Sequence, residues 1–127
     1  MALTHTTPSR NAVADACVDL VDAGVADPQG DLVFMTVGDV NVALLNMSNP
    51  AFGSAAIGVA TAAAIADDPS AAGGTIAKFK LQDRDNAEIL QGSVTATGGG
   101  GDIELSSVVI AATDSVAMTS LSYAAPI

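Results

Sequence analysis

Few side chains of this chain carry groups that do chemistry, and they do not cluster along the sequence. His5 is the only histidine among 127 residues, and Cys17 is the only cysteine. Nucleophilic catalysis by a Ser-His-Asp or Cys-His arrangement needs a base held by the fold, and zinc sites need several His or Cys ligands. We therefore expect no enzymatic activity, no cofactor and no metal site. Cys17 is expected to act as a small buried hydrophobe.

Acidic residues in a predicted turn come nearest to a metal site. Asp83, Asp85 and Glu88 lie close together, but the glycine turn and the distal bidentate Glu of an EF-hand are missing. The pattern favours a charged hairpin turn. The glycine run at 98–101 is not followed by Lys-Ser or Lys-Thr, so it predicts a flexible loop and not a phosphate loop.

The charge balance excludes one class of partner. Fourteen Asp or Glu stand against four Lys or Arg, which gives a formal net charge of −10. Such a field repels a phosphate backbone, so we expect no nucleic-acid partner. The longest run of small apolar residues, 57–66, covers about half of a membrane span, so we expect a soluble protein with no membrane partner.

The hydrophobic residues are mostly small. They make up 50% of the chain, yet it has three Phe, one Tyr and no Trp. Aromatic side chains supply the largest buried areas, so the core is predicted to be thin. A small domain with a thin core gains stability by associating with copies of itself or with a partner. The composition therefore indicates a component of an assembly.

The elements that position these residues begin with an arm and a helix. Residues 1–8 are predicted to form a polar N-terminal arm, and residues 9–127 a single β-rich domain that opens with a helix over about 9–23. Thr7 or Ser9 is the predicted cap, and Pro8 is tolerated in the first turn because no amide donor is needed there. The helical spacing predicts an apolar face formed by Val13, Ala16, Cys17, Leu20 and Val21.

Short stretches rich in Val, Ile, Thr and Leu follow the helix and predict strands. One hairpin is predicted to pair 32–37 with 40–46, and a second to pair 75–82 with 87–95. In the second hairpin Phe79 and Leu81 alternate with lysines and Gln82, so one face is predicted to be buried and the other wet.

Further strands are predicted at 102–105, 108–111 and 116–123. The stretch 54–66 is ambiguous, because its alanines favour helix while Gly58, Val59 and Thr61 favour strand, and we interpret it as extended. Strands with turns every eight to twelve residues are typical of sandwiches. The predicted fold class is mainly β: an antiparallel β-sandwich or jelly-roll-like domain with one N-terminal α-helix.

The order of these segments resembles a family of small virion proteins of tailed bacteriophages and prophages. The resemblance runs over nearly the whole chain, and it rests on structural signatures that name no chemistry. Its segments are 10–24 (RNAVADACVDLVDAG), 49–55 (NPAFGSA), 58–62 (GVATA), 73–79 (GGTIAKF) and 119–123 (TSLSY). Within that class the small, acidic β domain looks most like a capsid decoration, or cement, protein.

The resemblance implies a function in the phage particle. Decoration proteins bind the outer shell, often as trimers, and bridge neighbouring major capsid subunits. The expected partners are therefore copies of the chain itself, as a homotrimer, and the major capsid protein. The expected location is the capsid surface of the virion, after synthesis in the host cytoplasm. The alternative is a neck, tail or fibre-attachment protein of the same particle.

The residues predicted to make these contacts are apolar, aromatic or polar groups in the arm, in one loop and at the C-terminal end. Exposed groups of these kinds commonly anchor interfaces. The alternative for Phe52 is that it packs in the core of its own chain. The predicted interface residues are Leu3, His5, Thr7, Pro50, Ala51, Phe52, Tyr123, Pro126 and Ile127.

Overall fold

The computed structural model describes residues 3–125 and shows a mainly β protein with one N-terminal helix. This confirms the predicted fold class. The helix, α1, spans Thr7–Asp19 and continues as a 3₁₀ turn, Leu20–Asp22. The described strands are β1 (Asp31–Met35), β2 (Asn41–Asn46), β3 (Val59–Thr61), β4 (Gly74–Thr75), β5 (Lys78–Gln82), β6 (Glu88–Ala96), β7 (Ile103–Leu105), β8 (Val109–Ile110) and β9 (Ser122–Ala124).

Both predicted hairpins are confirmed. β1 pairs with β2 and β5 pairs with β6, each antiparallel, and β1 also pairs with β5. These strands form a five-stranded sheet in the order β2-β1-β5-β6-β7, while β3–β9 and β4–β8 form two short antiparallel ribbons. All five residues of β1 are buried, and β1 pairs with β2 on one side and β5 on the other.

The last pair of the main sheet departs from the predicted antiparallel arrangement. β6 and β7 are parallel although only residues 97–102 join them, whereas a parallel connection usually needs a dozen residues or more. The glycine run makes this short return possible, since Gly98 and Gly100 have φ of 89° and 81°. Glu104 accepts hydrogen bonds from both amides, at 2.9 and 3.2 Å. The loop that was predicted to be flexible is therefore a hydrogen-bonded connection between two parallel strands.

The outer edge of β2 is covered by an irregular segment. The amides of Ala66 and Ala72 donate to carbonyl oxygens of β2, and the Asp68 carboxylate accepts from Leu44 N at 3.0 Å. The predicted extended stretch 54–66 forms a strand only at β3 and otherwise makes single bridges and loops. This cover blocks stray pairing at one edge of the sheet.

Two predictions of which residues are buried are wrong in part. Val21 of the predicted apolar helix face is buried, but Val13 and Leu20 are 40% and 50% exposed, and the other buried residues of α1 are Ala14 and Val18. The helix is rotated because its polar residues contact loops of the domain, as described below. In β5, Gln82 is buried together with Leu81, so the predicted alternation fails where Gln82 lies opposite Asp31 of β1.

One hydrophobic core joins the main sheet to α1 and the β3–β9 ribbon. Phe34 is the only aromatic among the largest fully buried side chains, and the others are Leu, Ile and Val. Small residues such as Ala14, Ala51 and Ala60 fill much of the remaining space. The domain therefore holds together with few large apolar contacts.

Candidate functional site

The predicted interface residues fall into three groups in the structure. Leu3, His5 and Thr7 are exposed, as is Pro50. Ala51 and Phe52 are only 0% and 5% exposed and belong to the core. Their prediction as exposed contact residues is therefore wrong, because the loop turns these side chains inward beneath α1. The alternative that Phe52 packs in the core is confirmed.

The C-terminal interface residues lie near or beyond the end of the described chain. Tyr123 is half-buried in β9, opposite Ala60 of β3. Burial raises the pKa of the Tyr123 hydroxyl above its usual range, and the neighbouring Cys17 thiol adds to the shift. Cys17 itself is half-buried. Pro126 and Ile127 lie outside the described residues.

The polar residues of α1 and its 3₁₀ turn hold the loop between β2 and β3. The carboxylates of Asp22 and Asp15 accept hydrogen bonds from Ala51 N at 2.8 Å and Ala55 N at 2.7 Å. The Asn11 side-chain oxygen accepts from Gly58 N at 2.7 Å. The partners are 29 to 47 residues apart in sequence. We call this set of three contacts the helix–loop clamp; it explains why acidic residues occupy a half-buried helix face.

The acidic turn between β5 and β6 is built by local hydrogen bonds. Asp83 accepts from Asp85 N and Ala87 N, both at 2.9 Å. Asp85 accepts from the amides of Val25 and Ala26, also at 2.9 Å. These two amides, Val25 first, lower the pKa of the Asp85 carboxyl. The predicted charged hairpin turn is confirmed, and its carboxylates fasten the loop that follows α1.

A groove lies between β7 and the segment that leads into β9. β7 is the last strand of the main sheet, and within residues 3–125 no strand pairs with its outer side. The groove has a volume of about 430 Å³ at its larger end. Its apolar wall includes Ile103, Leu121 and Tyr123. Asp102 lies at the rim of both the larger and the narrower end. We call this feature the β7 groove.

Charged residues and half-buried apolar residues meet in the β7 groove. Glu104 is exposed on β7 and lines the narrower end beside Met118. Asp102 accepts from Ser93 N at 2.9 Å, so its carboxylate is fixed against β6. The arrangement offers an open backbone edge, an apolar floor and two negative charges. These are features of a site that binds an extended peptide.

Comparisons of the chain with protein-family models, curated proteins and solved structures find no match.

Two features are absent from the described residues 3–125. Among residues 3–125, no group of three or more His, Cys, Asp or Glu is placed to hold a metal ion. No described helix is long and apolar enough to span a bilayer. What the described surface offers is a groove and exposed apolar side chains.

Sequence reasoning missed both the helix–loop clamp and the β7 groove. The clamp joins residues far apart in sequence, so no local pattern marks it. The groove had a signal in the alternation of apolar and polar residues at Ile103-Glu104-Leu105 and at Leu121-Ser122-Tyr123. Strands were predicted in both stretches from their composition, but neither composition nor alternation reveals that one strand would lack a neighbour.

Proposed function

We propose that this protein is a structural component of a tailed-phage virion, a decoration protein that binds the outer capsid shell and bridges major capsid subunits. The observation that carries the proposal is the contrast between the core and the surface. The core has one large fully buried aromatic, Phe34, while Leu3, Val25 and Val37 are each more than 80% exposed. The resemblance of the segment order to small phage virion proteins supports the same proposal.

A core of mostly small side chains favours assembly, because association adds to a modest folding stability. Each buried apolar side chain contributes about 1.5–3 kcal/mol, so a core of mostly small residues leaves a modest stability. Binding that occurs only in the native state adds to it. Exposed apolar side chains on loops and turns are then contact groups, and in the particle they are covered by copies of the chain as a homotrimer and by the major capsid protein.

The charge of the protein is consistent with late addition to a finished shell. A net charge of −10 keeps free subunits apart and soluble. Contacts with the shell must therefore be close and largely apolar. Many identical sites on a shell then supply avidity that a single weak contact lacks.

The test is the number of copies in the purified virion relative to the major capsid protein. A decoration protein is expected at hundreds of copies per particle, measured by gel densitometry and quantitative mass spectrometry. A dozen copies or fewer would instead assign the protein to the neck, tail or a fibre attachment. Absence from purified particles would overturn the virion proposal altogether.

A binding experiment tests the bridging role directly. Purified protein is added to expanded capsids that lack it, and the bound fraction is measured after sedimentation. Deletion of residues 1–5 is expected to weaken binding, because it removes the exposed Leu3 and His5 and keeps Thr6, the cap of α1. Deletion of only residues 1–2 is the control for the change in chain length.

A further inference from the structure

A row of polar side chains crosses the main sheet at the start of β1. Asp31, the first residue of β1, lies opposite Asn46 of β2 on one side and opposite Gln82 of β5 on the other. Residues directly opposite each other in neighbouring strands project from the same face of a sheet, with Cβ atoms about 4.5–5.5 Å apart. The Asp31 carboxylate therefore lies between two side-chain amides.

Two members of this row are the buried polar residues of the described chain. Among residues 3–125, Asp31 is 5% exposed and Gln82 is 9% exposed, and the other buried residues are apolar or glycine. Within the same residues neither side chain has a hydrogen-bond partner, and the Asp31 carboxylate forms no ion pair. A buried carboxylate is costly unless a proton, a donor or a cation compensates its charge.

A second carboxylate increases this cost. Asp27 lies on the loop before β1, where its amide donates to Arg84 O at 2.9 Å and its carboxylate accepts from the Asn86 side chain at 3.1 Å. Burial raises the pKa of the Asp31 carboxyl above its usual range, and the negative charge of Asp27 adds to the shift. Two carboxylates thus repel each other beside the amide of Gln82.

Other carboxylates that the fold uses are already satisfied. Those of Asp22, Asp68 and Asp85 accept hydrogen bonds from backbone amides at 2.8 to 3.0 Å. Each of them fastens a loop or an edge, so its charge has a structural partner. Asp31 differs from them because it is buried and has no such partner in the described chain, which selects it as the centre of a site.

We infer that Asp31, Asp27 and Gln82 bind a calcium ion at this end of the main sheet. The inference goes beyond the proposed function and does not depend on it. Ca²⁺ takes six to eight oxygen ligands from carboxylates, amide carbonyls and water, in flexible geometry. Two carboxylates and the amides of Gln82 and Asn46 supply part of that set, and water supplies the rest.

The charge of the site predicts weak binding. The ion replaces repulsion between Asp27 and Asp31 with attraction to both carboxylates. Only two of the ligands are acidic, so the site does not form a group of three or more metal-binding acidic residues. The dissociation constant is expected at about 0.1–1 mM, the weak end of the range for protein calcium sites. Mg²⁺ fits less well, because it demands octahedral geometry and dehydrates reluctantly.

Isothermal titration calorimetry measures calcium binding to the full chain after metal has been removed with EDTA. The unchanged protein is expected to bind one Ca²⁺. Asp31→Asn should weaken binding at least about tenfold, because it removes one of two charged ligands. Asp19→Asn is the matched control: it removes the same charge from an exposed position on α1 and should bind calcium like the unchanged protein.

Thermal unfolding distinguishes a bound ion from a bound proton. In EDTA, Asp31→Asn is expected to unfold at a higher temperature than the unchanged protein, because an uncharged amide costs less to bury. Millimolar calcium chloride should raise the midpoint of the unchanged protein and not that of Asp31→Asn, since a ligand that binds the native state stabilises it. Magnesium chloride at the same concentration controls for general screening of the net charge of −10.

Gln82→Glu tests the same site with the opposite sign. A third carboxylate should tighten calcium binding at least about tenfold and lower the unfolding midpoint in EDTA. A variant that folds only when calcium is present would support the site as well. Calcium binding that is no tighter in folded Gln82→Glu would exclude Gln82 from the site.

Three outcomes would overturn the inference: an unchanged protein that shows neither binding heat nor a calcium-dependent midpoint, an equal calcium response in Asp31→Asn, or an equal response to magnesium. The first would show that a proton or water compensates Asp31. These results are independent of the proposed function. A chain that binds no calcium can still be a virion component, and absence of the protein from virions would leave the calcium site standing.

Discussion

Gly92 of β6 faces Phe79 of β5 across the sheet, and the contact depends on the missing side chain. A Cβ at position 92 would lie 2.5 Å from an edge carbon of the Phe79 ring and 2.8 Å from a carboxylate oxygen of Asp102. These distances are too short for carbon, so a larger residue must displace the ring. Glycine at this position is therefore a packing requirement of the groove wall.

Gly92→Ala is expected to lower the free energy of unfolding by about 1–3 kcal/mol, the usual cost of overpacking. Gly38→Ala is the matched control, because the nearest atom to its added Cβ is 3.8 Å away. The control should change stability by less than about 1 kcal/mol. Urea unfolding of both variants measures the difference, and equal midpoints would contradict the packing argument.

Asp85 provides a pH-dependent contribution to stability. Its folded pKa is lowered below the usual 3.8 by the amides of Val25 and Ala26. A lowered carboxyl pKa stabilises the fold above the unfolded pKa, and this contribution is lost as the pH falls through the folded pKa. Its effect is therefore complete at neutral pH and disappears below 3.8.

Asp85→Ala is expected to lower the urea midpoint at neutral pH, and the gap to the unchanged protein should narrow at about pH 3. Asp67→Ala is the control, since Asp67 is exposed in the irregular segment beside β2. It should shift the midpoint little at either pH. A gap for Asp85→Ala that stays constant with pH would show that the ionised carboxylate is not what holds the loop.

At the scale of elements, the position of α1 follows from the helix–loop clamp. Sequence periodicity located the helix to within two residues at its start and confirmed Pro8 in its first turn. The predicted apolar face was correct at Val21 but wrong at Val13 and Leu20, because Val and Ala occur on two sides and the deciding partners are amides of a distant loop. Two acidic residues, Asp15 of α1 and Asp22 of the 3₁₀ turn, accept hydrogen bonds from amides of this loop.

Asp15→Ala is expected to lower the free energy of unfolding by about 1–2 kcal/mol, because the Ala55 amide loses a charged, half-buried acceptor. Asp19→Ala, an exposed residue one turn further along the same helix, is the control and should be nearly neutral. Hydrogen exchange at the amide of Ala55 should quicken only in Asp15→Ala. Unchanged protection of that amide would exclude the clamp as the element that fixes the loop.

At the scale of the whole molecule, local contacts were predictable and nonlocal ones were not. Both hairpins follow from strand patterns separated by turn residues, and both were predicted. The parallel β6–β7 pair was not, because a glycine run of this kind usually indicates a flexible loop. The cover over β2 and the open side of β7 also depend on which segments meet in space. Sequence patterns therefore did not predict the β7 groove, because they do not identify which segments are neighbours in space.

Self-repulsion sets how the whole molecule responds to salt. Each copy carries a net charge of −10, so bringing copies together costs electrostatic free energy even where the contacts are apolar. The screening length falls from about 10 Å at 0.1 M salt to about 3 Å at 1 M. Apolar contacts are not weakened by this screening.

We therefore expect the self-association constant to rise as sodium chloride is increased from about 0.05 M to about 0.5 M. Sedimentation equilibrium at matched protein concentrations measures the change, and thermal unfolding at each salt concentration separates it from a change in folding stability. A constant that falls with salt would show that opposite charges, and not apolar side chains, carry the contact.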